Sequence, residues 1–213
     1  MASSRSTPLV IGTHNPGKVH EIKTILGDVP WFLRSLQEFD GVGVAEENED
    51  SYSSNAIAKA RYYAAITGLW ALADDSGLEV DALGGKPGVF SARYAGENAT
   101  DADRRKLLLT QLAEQSGQIR SARFVCAVAI ASPDQVVMSL TEGICIGSIT
   151  GEPRGQAGFG YDPLFIPDGY DKTFAELPDS LKNLISHRAL ALLSTREFLL
   201  RGVGLLDQLG TGS

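Results

Sequence analysis

The sequence predicts an α/β fold built on a mixed β-sheet, and two observations carry that prediction. In the first half of the chain, apolar strand-like runs alternate with helical stretches. In the second half, two β-rich runs, 122–132 and 136–149, follow each other with only a turn signal between them. Alternation favours parallel neighbours and a hairpin requires an antiparallel one, so the sheet should contain both. At 213 residues the chain can bury a sizeable core, and a single two-lobed domain over 1–213 fits that length as well as two domains.

Leu9-Val10-Ile11 is a short apolar strand ending at Gly12-Thr13, and His14-Asn15-Pro16-Gly17 leads tightly into a helix from about Lys18 to Leu26. Trp31 to Leu36 reads as a second strand, and the acidic, glycine-bearing stretch Asp40 to Asp50 as loop. Ser51 to Thr67 is alanine-rich with helical spacing, and Ser51, Ser53 or Ser54 could cap it. Leu69 to Ala73 is a buried strand bearing Asp74 and Asp75 at its tip. Ser76-Gly77 is then expected to turn the chain into another strand through Val80. A loop spans Gly84 to Gly96, and Thr100-Asp101-Ala102-Asp103 resembles a capping box opening a helix to about Ser116. Ser132-Pro133-Asp134-Gln135 turns between the two β-rich runs, and a further loop, Gly151 to Gly160, precedes Tyr161 to Ile166. The chain ends in helix from about Asp179 to Arg201, within which Ser186 could cap a fresh start.

Composition narrows the function classes. It is that of an ordinary globular protein, without repeats or low-complexity tracts. A formal net charge of −7, with no dense basic run, argues against binding a nucleic-acid polymer. It leaves room for a small anionic substrate, because a few lysines can set the potential locally. Cys126 and Cys145 lie in apolar runs without CxxC spacing, as expected of buried, reduced thiols in a cytoplasmic protein. Met1 to Pro8 lacks the apolar segment of a signal peptide, and no stretch has the length of a membrane span. Residues 1–7 and 208–213 are expected to be flexible.

Several constellations could carry chemistry. Paired carboxylates at the tip of an apolar strand are expensive to desolvate, so a metal or a reacting group is the natural reason for Asp74 and Asp75. Neighbouring strand residues face opposite ways, so the two should differ in role: one facing a magnesium ion and a water, the other bracing the backbone or a lysine. Thr13 to Lys18 joins a strand to a helix N-terminus, whose N–H groups and dipole suit a phosphate, with Thr13 and Asn15 adding hydrogen bonds and Lys18 a charge. Glu46-Glu47 precedes the helix carrying Asn55 and Lys59, which share a helical face. A carboxylate converging there with Asp75 would make a hard-oxygen site for magnesium. Gly158-Phe159-Gly160 sets an aromatic among glycines, which can stack on a flat ligand or simply plug the core. Lys182, Ser186, His187 and Arg188 are donors that would be solvated on a surface, or would read a purine oxygen if they faced a cleft. A Walker loop, GxSxG, GxGxxG and the second histidine of a zinc-protease helix are all absent.

In this order, from near residue 9 to near residue 192, these motifs resemble the inosine triphosphate pyrophosphatase family, which acts on non-standard purine nucleotides. The matching stretches are Thr13 to Lys18, Glu47 with Asn55-Ala56 and Lys59-Ala60, Ala73 to Leu83, Pro87-Gly88, Ser91 to Tyr94, Gly158 to Pro163, and Lys182 with Ser186-His187-Arg188. The resemblance implies a two-lobed α/β fold with a long central mixed sheet, a nucleotide cleft between the lobes, and a homodimer. It also implies magnesium-dependent hydrolysis of ITP, dITP and XTP to monophosphate and pyrophosphate. By the same resemblance, Thr13, His14, Asn15, Pro16, Gly17 and Lys18 bind phosphate, Glu47 and Asp75 bind the metal, and Asp75 accepts the proton. Ser76, Phe159, Gly160, Tyr161, Asp162, Lys182, His187 and Arg188 fall on the family's substrate contacts. In such a reaction Lys18 and Lys59 would stabilise charge building on the leaving pyrophosphate. Where the family usually has Glu-Thr-Gly, this chain has Glu47-Asn48-Glu49 preceded by Glu46, so Glu46 or Glu49 competes for the metal role. The rivals are a pyrophosphatase for modified pyrimidine or methylated nucleotides and a non-catalytic nucleotide sensor. A metal-free binder of a polyanion has little use for the carboxylates, which counts against the sensor.

Overall fold

The computed structural model describes residues 7–115 and 120–209. Six strands form one hydrogen-bonded sheet: β1 (Thr7–Ile11), β2 (Trp31–Ser35), β3 (Trp70–Val80), β4 (Ser121–Ala131), β5 (Val137–Ile149) and β6 (Phe165–Pro167), in the order β2-β1-β3-β4-β5-β6. β1 runs parallel to β2, with Leu9 opposite Leu33, and parallel to β3, with Ile11 opposite Leu72; β5 and β6 are antiparallel. The sheet is therefore mixed, as the element order predicts.

Helix starts follow local capping chemistry. α1 (Pro16–Ile25) begins two residues before the expected Lys18, because the Asn15 side chain accepts from Gly17 and Lys18 N–H and Pro16 takes a first-turn position where no donor is needed. Ser51 caps α2 (Tyr52–Thr67), which ends on Gly68 in the left-handed region. Thr100 and Asp103 form the expected capping box of α3 (Asp101–Ala113); the predicted end near Ser116 lies outside the described residues. Ser186 separates α4 (Asp179–Ile185) from α5 (His187–Leu209), its Oγ accepting from Ala189 N–H at 3.2 Å. Thr7 opens β1 and α5 continues to Leu209; the rest of the termini expected to be flexible lies outside the described residues.

Contrary to the sequence expectation, Ser76-Gly77 does not turn the chain, since β3 continues through both residues for 11 residues in all. Leu78 and Val80 are fully buried further along the strand, and Leu78 N–H donates to Ser91 Oγ at 2.8 Å. Burying those side chains outweighs the local turn preference of Ser-Gly.

By contact the chain divides into two compact units. The first draws on Met1–Asp75, Ala127–Glu142 and Ala191–Ser213, the second on Ser76–Cys126 and Gly143–Leu190. In the first unit, Leu9, Val10, Ile11, Ile22 and Leu72 are fully buried. Trp31 meets Trp70 edge-on at 5.5 Å and donates its indole N–H to Leu199 O at 2.9 Å. The second unit is built around Leu78, Val80, Leu108, Phe124, Leu164, Phe165 and Phe174. Cys126 and Cys145, both in that unit, are buried and form no disulfide. Burial pushes the Cys145 thiol up to about 11, with Asp168 adding to the rise. No helix among the described residues is long and apolar enough to cross a membrane.

Candidate active site

In the first unit the acidic loop after β2 is pinned at two points by α2. Tyr63 Oη accepts from Ala45 N–H at 3.2 Å. Asn55 accepts from Glu49 N–H at 3.1 Å and donates to Glu49 O at 3.3 Å. Between those anchors Glu47 reaches Lys59, its Oε1 lying 2.6 Å from Nζ. Lys59 Nζ also lies 3.2 Å from Asp75 Oδ1, and Asn55 donates to Asp75 Oδ2 at 3.1 Å. Glu46 instead accepts from Asn48 at 2.8 Å, and both Glu46 and Glu49 are exposed. Of the three glutamates, Glu47 is the one whose carboxylate converges with Asp75.

Asp74 and Asp75 are both buried, at 1% and 5% exposure, but they meet different cations. Asp74 Oδ2 lies 3.0 Å from Lys18 Nζ, whereas Asp75 belongs to the Lys59 cluster. Burial pushes the Asp75 carboxyl above the ordinary aspartate range, against the pull of Lys59 and Lys18, and Glu47 adds to the rise. For Lys59, burial disfavours the ammonium, but Asp75, Asp74 and Glu47 outweigh it and hold the charge. Asp75 is thus a buried carboxyl of raised proton affinity beside a retained positive charge.

The strand–helix turn differs from expectation in one respect. Its first amide groups are not left open to a phosphate: Asn15 Oδ1 accepts from Gly17 N–H at 2.9 Å and from Lys18 N–H at 3.2 Å, and Thr13 Oγ1 accepts from Asn15 N–H at 3.2 Å. An asparagine N-cap serves the same donors a phosphate would use, so an incoming anion must displace that side chain or rely on the dipole and Lys18. Exposed His14 reaches Gly43 O through Nε2 at 3.2 Å.

The second unit assembles the other group of expected residues. Asp162 Oδ2 accepts from Phe159 N–H at 2.9 Å and from Lys182 Nζ at 2.6 Å, both Asp162 and Lys182 being buried. The Phe159 ring has Lys182 Nζ 5.1 Å and the Arg188 guanidinium 5.5 Å from its centroid. Arg188 donates to Ser76 Oγ at 2.9 Å. Tyr161 is buried and donates its hydroxyl to Ser91 O at 3.0 Å. His187 lies parallel to Phe124 at 4.5 Å, which gives it a packing role whatever else it does. Lys182, His187 and Arg188 are therefore buried rather than solvated. Sequence reasoning missed Asp101 and Arg105, which grip Gly160 from α3; the Asp101 segment signalled only a helix start.

The buried Lys59 ammonium already shows that Glu47 and Asp75 converge on one cation. Among the described residues no group of three or more His, Cys, Asp or Glu is arranged to hold a metal ion. Two converging carboxylates are a partial ligand set of the kind a divalent metal completes with waters and other oxygens.

The chain matches the Ham1 family model over residues 9–198. It is 47% identical over 193 residues to the dITP/XTP pyrophosphatase of Geobacter sulfurreducens, covering 91% of this chain and 96% of that one. It is 45% identical over 190 residues to the dITP/XTP pyrophosphatase of Bacillus subtilis, covering 89% and 96%. The solved structure of a HAM1 protein from Coxiella burnetii superposes with a TM-score of 0.83 at 41% identity, covering 92% of this chain and 99% of that one.

Proposed function

Because the chain belongs to the Ham1 family, we propose that it is a hydrolase converting ITP, dITP and XTP to the monophosphate and pyrophosphate, thereby cleansing the nucleotide pool. The observation that carries this reading is the convergence of Glu47 and Asp75 on one cation, in a chain 47% identical to a protein named dITP/XTP pyrophosphatase. Glu47 and Asp75 would hold Mg²⁺, which when bound neutralises charge on the triphosphate. Asp75, its carboxyl raised by burial, takes the proton of the attacking water. The water's oxygen bonds to the α-phosphorus and the α–β bridging bond breaks, leaving pyrophosphate. Lys18 and Lys59, held by Asp74, Asp75 and Glu47, stabilise the charge that builds on it. Thr13, His14, Asn15, Pro16 and Gly17 serve the phosphates.

Phe159 stacks on the purine, and Lys182, His187 and Arg188 favour an oxygen at purine position 6 over adenine's amino group, which would face donors unpaired. Ser76, Gly160, Tyr161 and Asp162 support these contacts. The enzyme works as a cytoplasmic homodimer. The test is a panel of ITP, dITP, XTP, ATP and GTP, scored for pyrophosphate release with and without Mg²⁺. ITP, dITP and XTP should be cleaved with a kcat/KM at least about 10²-fold above that for ATP, the scale set by a buried donor left unpaired. Equal cleavage of all five would remove the base-reading part of the proposal.

A further inference from the structure

Both peptide groups flanking Gly160 are held by the first turns of α3. Gly160 N–H donates to Asp101 Oδ2 at 2.7 Å, and Gly160 O accepts from Arg105 Nη1 at 2.7 Å. Asp101 and Arg105 are four residues apart and so share one helical face. Asp101 is not needed as the cap of α3, because Thr100 and Asp103 already form the capping box. Its other oxygen is engaged by Arg104, whose Nη1 donates to Ala92 O at 2.7 Å and Ala99 O at 2.8 Å. Although burial raises the Asp101 carboxyl, the Arg104 and Gly160 hydrogen bonds outweigh it and keep the group ionised.

Asp101 holds the peptide that directly follows Phe159, and Arg105 holds the next one, so that the first cannot swing about Gly160. The N–H of Phe159 itself is tied to Asp162, and the next N–H, that of Gly160, is tied to Asp101. With the peptide planes on both sides of its Cα held, the direction of the Cα–Cβ bond is set. Only the side chain's own rotamers are then left to be lost on binding a flat ligand, and no backbone freedom. We propose that Asp101 and Arg105 are positioning residues that preorganise Phe159 for stacking on the purine. This rests on the reading of Phe159 as the stacking residue.

The test uses the full chain with Mg²⁺ and two probes: IMP, which carries the base, and tripolyphosphate, which does not. Asp101→Ala and Arg105→Ala should each weaken IMP binding about five- to tenfold, the scale of a lost hydrogen bond. Tripolyphosphate binding should stay unchanged, and the melting temperature should fall by no more than about the few degrees that a lost hydrogen bond implies. KM for ITP should rise while kcat holds, since stacking is shared by ground and transition states. Arg105→Lys, which keeps one donor, should recover much of the loss, and Phe159→Ala should weaken IMP at least as much as either clamp variant. Unchanged IMP affinity in both alanine variants, with Phe159→Ala impaired, would overturn the clamp alone. Parallel loss of both probes would also overturn it, by showing a general structural role. An unimpaired Phe159→Ala would remove the stacking reading and the clamp with it, whereas ITP hydrolysis by the wild type tests the activity separately.

Discussion

Asp74 and Asp75 are neighbours in one strand and both buried, yet one is paired with Lys18 and the other with Lys59. Strand alternation predicts that difference from the sequence alone. The partners were less legible: Glu47 lies in a loop without periodicity, and Asn55 and Tyr63 choose its direction by gripping the backbone at Glu49 and Ala45. Asp75→Asn should lower kcat by about 10²–10⁴-fold, the usual contribution of a general base, with a folded, soluble chain in circular dichroism. Asp74→Asn, which loosens the hold on Lys18 and removes one of the charges that keep Lys59 protonated, should lose less. A larger loss in Asp74→Asn would reverse the two roles. Glu47→Gln should raise the Mg²⁺ concentration needed for half-maximal rate, and Glu46→Gln should leave it unchanged. The opposite pattern, read from magnesium titrations of both variants, would move the ligand.

At the scale of elements, the capping signals were readable because they are local: Ser51, Thr100 with Asp103, and Ser186 all do what their sequence neighbourhoods predict. The local turn preference of Ser76-Gly77 gives way because the deciding force, burial of Leu78 and Val80, is tertiary. The Gly158–Asp162 loop was legible as a place of close approach, but the reason differs between its glycines. Gly158 has φ +73°, and a Cβ there would collide with the Asp162 carboxylate that binds Phe159 N–H and Lys182. Gly160 has φ +59° with open space where a Cβ would sit. An alanine there meets only the backbone penalty, about 1–2 kcal/mol. Gly158→Ala should therefore raise KM for ITP far more than Gly160→Ala does. Equal effects in steady-state kinetics would show that the Asp162 contacts do not govern the loop.

For the whole molecule, the net charge of −7 conceals where the cations are. Lys59, Lys182 and Arg188 are buried and each is paired with a side chain of its own unit. Composition argues against a polymer of nucleic acid but does not reveal this internal arrangement, which depends on residues 12 to 112 positions apart in the chain. The mixed sheet was legible from element order. Two lobes were expected, but not which segments make up each unit, because β3, β4 and β5 each pass from one unit into the other. The proposed activity stands or falls on cleavage of the α–β bond of a non-standard purine triphosphate. Chromatography of the products formed from ITP with Mg²⁺ tests this most directly: IMP and pyrophosphate in equal amounts are expected, and IDP with orthophosphate would contradict it.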